Sequence, residues 1–244
     1  IWILFYNRHL FYVHRRDFWL FIGSGMIGMT ALSVFYNISV TKGSLALSAV
    51  LLAMSPVFVL FLAAIFFHEP VTRHKLTCVT LALIGCVLVS GVLESNGLSW
   101  SITGILCGIL ASFFYAVYGI ISKKVTQKGY HFLTITFYGT LFSGMTMLPF
   151  SNIHSLSSMI VSGQRTTFFI LIIHALVSSV LPYALYSLSM RYMEAGKASI
   201  LASSEPAAAM LFGAVLYAET PGILSICGLC FTITAVILLN YERN

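Results

Sequence analysis

Charge is what this chain has least of. Only 8% of its 244 residues are Asp, Glu, Lys or Arg, while 59% are hydrophobic. A soluble domain carries roughly 25% charged residues, and a chain with so few could not clothe a water-facing surface. The deficit excludes a soluble globular protein: most side chains must face lipid or one another. Also missing are the ~10-residue alternating segments of a membrane barrel. What remains are long, unalternating apolar runs, which read as transmembrane helices. Each needs about 20 residues to cross ~30 Å of hydrocarbon.

Catalytic signatures are absent as well. The chain has no HExxH, no GxSxG and no P-loop, so neither an enzyme nor an ATP-driven pump is expected. Ser39-Val-Thr-Lys42 satisfies SxxK at a helix end without partners and reads as coincidence. Asn37-Ile-Ser39 is a glycosylation sequon too close to a span to be used. The 5 cysteines all fall in apolar runs, where thiols pack as small apolar groups. Cys227-Gly-Leu-Cys230 lacks the second pair or the histidines of a redox or metal site, and packing is expected there too. His174 has no ligating partner at i+4 and reads as a core or cavity residue. No metal and no cofactor are expected. The chain opens Ile1-Trp2-Ile3 without a signal peptide, and its first apolar stretch reads as the end of a helix whose beginning is missing.

Against these absences stand eight apolar spans, near 18–38, 45–67, 76–93, 101–121, 131–150, 167–188, 197–217 and 223–240. When the loops between them are assigned alternately to the two sides, 11 of the 13 Lys and Arg residues fall together, leaving only Lys42 and Arg165 opposite. The basic side is cytoplasmic by the positive-inside rule, and the C-terminus lies there. The net charge of +6 is then a topology signal and calls for no nucleic-acid partner. Arg15 and Arg16, just before the first complete span, are candidates for a stray contact with anionic lipid.

A repeat runs through the chain at a constant offset of 150 residues. Tyr36 pairs with Tyr186, Ser39 with Ser189, Leu51 with Leu201 and Pro56 with Pro206. Ala64 pairs with Ala214, Glu69 with Glu219 and Leu88 with Leu238. Glu69 lies beside basic Arg73 and Lys75, whereas the loop of Glu219 has no basic residue. The two copies therefore run in opposite senses, since equivalent helices lie five spans apart. Inverted repeats are an architecture of secondary transporters, with the substrate near the midplane.

The segment from Ala53-Met54-Ser55-Pro56-Val57-Phe58 through His68-Glu69-Pro70, followed by an apolar helix containing Gly85, resembles one half-signature of the drug/metabolite transporter superfamily, EamA type. Ser203-Ser204-Glu205-Pro206-Ala207 through Ala218-Glu219, then Gly228, resembles the other. The resemblance implies an all-α integral membrane fold of ten helices in two inverted five-helix repeats. Here these would be residues 1–121, truncated at the start, and 122–244. Helix 1 and most of helix 2 would be absent, leaving about eight complete helices, and in the family helix 1 helps line the central cavity.

The implied function is secondary transport or export of small organic metabolites, amino acids or related solutes, by alternating access in a plasma membrane. The alternatives are a nucleotide-sugar or sugar-phosphate carrier of the same superfamily and a non-transporting scaffold subunit. An anionic substrate would want basic residues at mid-membrane, and the spans hold none. Glu205, deep in its span, is the foremost candidate for substrate or proton binding; its other reading is a hydrogen-bonded carboxyl joining two helices, with help from Ser203 or Ser204. Ser204, Tyr36, Tyr115, Tyr118, Tyr183 and Tyr186 are further substrate-binding candidates. Thr134, Thr136, Tyr138, Thr140 and Ser143 are candidates for the cavity wall. Pro56 and Pro206 are candidate kinks or gates, and Glu69 and Glu219 candidate caps. Trp100 and Tyr241 suit the interfacial belt. Gly104 and Gly108 form a GxxxG that suits close helix packing, with a homodimer as a further candidate.

Overall fold

Inside a bilayer every backbone N–H and C=O must be satisfied within its own segment or against a neighbour, which makes helices the solution for runs this apolar. A computed structural model describes residues 12–90, 92–93, 101–150, 165–217 and 221–241. We number the helices among them α1 (Phe18–Lys42), α2 (Leu45–Phe67), α3 (Arg73–Val89), α4 (Ile102–Gln127) and α5 (Phe132–Met147). α6 comprises Arg165–Ala175, Leu176–Val180 and Leu181–Tyr192; α7 comprises Ala195–Ala202 and Glu205–Tyr217; α8 is Ile223–Tyr241. No strand occurs among the described residues. Six of these helices are long and apolar enough to span a membrane, while α3 and α5 have 17 and 16 residues. Glu219, Trp100 and the opening residues 1–11 lie outside the described residues.

Several boundaries differ from those expected, each for a local reason. α3 begins at Arg73, not near 76, because the Thr72 hydroxyl accepts from the Lys75 N–H at 3.2 Å and caps the first turn. α4 runs on past 121 to Gln127, since Lys123 and Lys124 are good helix formers that can stay helical beyond the apolar stretch. α2 ends at His68, which takes the left-handed conformation at φ 56°. That turn lets the Glu69 N–H reach the Ala63 carbonyl at 3.3 Å, closing the helix before Pro70.

The chain forms two compact units, residues 1–30 with 121–192, and 31–120 with 193–244. Neither coincides with a sequence half divided at 121/122. In the first unit α5 packs on the start of α1 and on the end of α6, around buried Phe21, Val125 and Ile135. Gly25 permits the approach: a Cβ there would fall 2.6 Å from the Gly139 carbonyl. α1 loosens to a π-helix over Gly23–Ala31, and α6 does so over Leu176–Val180, about one repeat interval away. At the entry to α1, Lys128 and Tyr130 both donate to the Asp17 carboxylate. Those hydrogen bonds, Lys128's first, hold the Asp17 pKa below its ordinary 3.8.

In the second unit the dominant packing is α3 against α8. They cross where Gly85 meets Gly228: a Cβ on Gly85 would lie 2.8 Å from the Gly228 carbonyl, and one on Gly228 2.7 Å from the Gly85 carbonyl. Such closeness matters in lipid, where helix association rests on van der Waals packing more than on burial from water. His74 donates to the Leu238 carbonyl at 2.8 Å, so the start of α3 meets the end of α8 and the pair is antiparallel. α2 and α7 are antiparallel too, with Leu60 and Ile200 buried together beside Cys78, Val79 and Leu239. Gly104 sits against the Gly43 backbone and Gly108 against Leu51 and Ser39, so the GxxxG is used within the chain. Cys227 and Cys230 are exposed. Gly228 of that run is the residue buried against α3, which corrects the expectation that these thiols are packed. His174 is likewise exposed on α6 and not in a core.

Polar ties close one end of this unit. Glu69 accepts from the Ala195 N–H at 3.0 Å and the Gly196 N–H at 3.3 Å, capping α7 from across the gap with a charge that suits a helix N-terminus. Glu194, in the N-cap position itself, instead pairs with Lys75 at 2.5 Å. Lys75 also donates to the Pro70 carbonyl at 2.9 Å. Its side chain is 2% exposed, that of Glu194 40%.

Three outcomes follow for thermal unfolding of the purified protein in detergent. Gly85→Val should lose about 1–3 kcal/mol by overpacking, whereas Gly144→Ala, with open space around it, should be neutral or gain roughly 0.5 kcal/mol. Glu194→Ala should cost about 3 kcal/mol or more by stranding the buried Lys75; Lys75→Met should cost less, because the freed Glu194 can reach solvent. Asp17→Asn should lower the melting temperature at neutral pH. Since the Asp17 pKa is depressed, its contribution is complete above the ordinary value of 3.8 and is lost as pH falls through the lower folded value. The difference between variant and wild type should therefore vanish in acid.

Candidate functional site

Two helices of the second unit are interrupted at matching places. α2 breaks at Ala53–Met54 and α7 at Ser203–Ser204. The Met54 N–H reaches back to the Leu51 carbonyl, and the Ser204 N–H to the Leu201 carbonyl, each at 3.1 Å. These four residues are one repeat interval apart. The new helical segments begin at Ser55 and Glu205, placing Pro56 and Pro206 in a first turn, where a missing N–H costs nothing. The prolines therefore start fresh segments after a break and do not kink a continuous helix. A thiol from α3 supports the second break, Cys86 donating to the Ser203 carbonyl at 3.2 Å.

Both breaks open onto one cavity of about 820 Å³. The start of α2, the end of α3, the break of α7 and the start of α8 all contribute to it, with Tyr36 from α1 and Tyr115 from α4. These places lie at the end of the unit opposite the Glu69 and Lys75 ties, as the antiparallel pairing requires. The wall is mostly apolar. Among the described residues its polar side chains are those of Tyr36, Tyr115, Ser55, Ser90, Ser203, Ser225 and Glu205, with no Lys, Arg or His. Glu205 is exposed, and no described residue forms a salt bridge with it.

Of the residues expected at a site, Glu205, Pro206, Tyr36 and Tyr115 are together on this cavity. Ser204 is beside it but not on its wall, its hydroxyl donating to the Leu201 carbonyl at 2.7 Å. Pro56 is buried behind Ser55, and Tyr118 is wholly buried. Tyr183 and Tyr186 belong to the first unit; the first is half-buried and the second buried. Thr136 and Thr140 of α5 turn their hydroxyls onto their own helix, to Phe132 and Thr136 carbonyls at 3.0 and 2.8 Å, and Ser143 bonds Thr30 at 3.1 Å. Thr134 and Tyr138 are also of that helix and off the cavity wall. Ser55 is on the wall without having been singled out. The repeat was the available signal, because Ser55 stands at the position equivalent to Glu205.

Comparison with known proteins agrees with this architecture. A solved crystal structure superposes with a TM-score of 0.76 at 12% identity, covering 99% of this chain and 83% of its own, which establishes the fold. An uncharacterized transporter of Archaeoglobus fulgidus is 24% identical over 90% of this chain and 76% of its own length. The uncharacterized transporter YdfC of Bacillus subtilis is 22% identical over 88% and 71%. A protein of Salmonella typhimurium described as a probable amino-acid metabolite efflux pump is 26% identical over 71% of this chain and 60% of its own. The model of the EamA-like transporter family matches residues 1–91 and 102–241. With nearly the whole chain so matched, this multi-pass membrane protein belongs to the EamA-like transporter family.

Proposed function

We propose that the protein is a secondary transporter that exports small organic metabolites carrying an amino group, amino acids or close relatives, by alternating access. One observation carries the reading. Repeat-related contacts of the second unit are closed at one end and open at the other. Leu60 and Ile200 are buried together beside the Glu69 cap. Their counterparts by the 150-residue offset are Met210 and Val50, and there Met210 and the neighbouring Ala49 line the open cavity. Two near-equivalent ends in opposite states are what an inverted repeat supplies to a transporter. Exchanging the states would carry a solute across without either end standing open together.

The charge distribution orients the cycle. Arg73 and Lys75 belong to the basic side, so the tied end faces the cytoplasm, the cavity faces outward and the C-terminus is cytoplasmic. A bacterial plasma membrane suits the short loops. Opening inward requires the Glu69 cap and the Lys75–Glu194 pair to separate. The cavity chemistry supports the substrate class: among the described lining residues, a carboxylate with hydroxyls around it and no cation suits an ammonium group on an apolar or aromatic body better than a sugar phosphate. As the carboxylate on the described cavity wall, Glu205 is also the group that would link substrate binding to a proton gradient.

The test is amino-acid flux in proteoliposomes under an imposed pH gradient. Wild-type flux should follow the gradient, and Glu205→Gln should lower gradient-driven flux by about tenfold or more, the size of a lost ~1.4 kcal/mol interaction. Equal, gradient-independent exchange by both proteins would make Glu205 structural and the protein a facilitator. Absence of flux for every amine-bearing pool would favour a scaffold.

A further inference from the structure

We infer that the turn leading into α1 forms a binding site for the phosphate of an anionic membrane phospholipid. Tyr12, His14, Arg15, Arg16, Asp17 and Lys128 surround a recess of about 630 Å³ in the first unit. The recess is built, not merely charged. The Asp17 N–H closes a turn on the His14 carbonyl at 2.9 Å. Tyr130, from the segment between α4 and α5, holds both sides of that turn: its hydroxyl accepts from the His14 N–H at 3.2 Å and donates to Asp17 at 2.8 Å. Lys128 is drawn in by its ion pair with the same carboxylate. Tyr12 and His14 meet edge to face with centroids 5.3 Å apart.

The charges within the recess do not cancel. Asp17 answers Lys128, whereas Arg15 and Arg16 are exposed and pair with no carboxylate among the described residues. Two guanidinium forks beside a fixed turn suit the oxygens of a phosphate, which they can bind bidentately. A bare topology signal needs positive charge but no concave, hydrogen-bonded seat for it.

Position selects the source of the phosphate. The recess opens where α1 begins, and Tyr12 and Trp19 on either side are 69% and 76% exposed. Amphipathic aromatics of this kind settle at headgroup depth, which places the two arginines level with lipid phosphates. A phosphodiester with a small neutral headgroup, such as phosphatidylglycerol, would bring its phosphate to Arg15 and Arg16 while its chains lie along Phe18 and Trp19.

Native mass spectrometry of the whole chain, released from micelles holding equal amounts of phosphatidylglycerol and phosphatidylcholine, reads the site directly. Wild type should retain phosphatidylglycerol preferentially, and the preference should fall about fivefold for each arginine replaced, or roughly 25-fold in R15Q/R16Q. Unchanged retention by a double variant that melts like wild type would overturn the proposal. Displacement of the lipid by excess inorganic phosphate would overturn the lipid source and assign the recess to a soluble anion. If the double variant melts early, R15Q and R16Q singly decide the matter by the same fivefold criterion.

Discussion

The closest packing in the second unit is the crossing of α3 and α8 at Gly85 and Gly228. In water, burial of apolar surface would drive two such helices together; in lipid that drive is largely absent, and contact must come from atoms that fit. Two glycines facing one another remove the side chains that would hold the backbones apart. Thr232 completes the seat, its hydroxyl donating to the Gly228 carbonyl of its own helix at 3.0 Å, so no polar group at the crossing is left unsatisfied. The rest of the unit is arranged about this pair: Cys78 and Val79 of α3 extend it into the buried cluster with Leu60 and Ile200, and Cys86 carries it to the break in α7.

Once those helices are fixed, the two ends of the unit are set apart by chemistry. At one end the left-handed turn at His68 swings Glu69 onto the N-terminal N–H groups of α7, and Lys75 gathers Glu194 and the Pro70 carbonyl. Each tie satisfies a group that would be costly to leave unpaired near the bilayer. At the other end, broken helices and hydroxyl-bearing residues surround open space, with Glu205 free of any ion pair among the described residues. A helix break at this depth is tolerated because it faces a cavity and not lipid. The unit thus combines a tied end, held by electrostatics, and an open end lined by interrupted helices.

Much of this was legible in the residues alone. The scarcity of charge excluded everything but a membrane protein, and the pairing of Pro56 with Pro206 and of Glu69 with Glu219 announced a repeat that returned as matched helix breaks. The resemblance to the EamA type rested on those same residues, and the family model matches nearly the whole chain. Capping by Glu69 was foreseen, but not its target: a carboxylate 126 residues from Ala195 caps a helix that sequence distance could not have associated with it. Nor could the sequence tell Tyr115 from Tyr118. Both lie on α4, yet one reaches the cavity and the other is wholly enclosed, because three positions on a helix turn a side chain by most of a revolution but neighbours decide which direction is open.

What the sequence by itself determined was therefore the class of protein, the order of its helices, the repeat and the clustering of its charge in alternate loops. All of these are properties of composition and of spacing along one chain, where the bilayer imposes a length and a polarity that few sequences satisfy. Only the tertiary structure decided which polar groups meet. Ser55 joins Glu205 on one wall, Cys86 reaches the Ser203 carbonyl, and Arg15 and Arg16 come to share a recess with Lys128. Those outcomes depend on close approaches at glycines and on hydrogen bonds between segments more than a hundred residues apart, where a few ångströms separate a contact from open space.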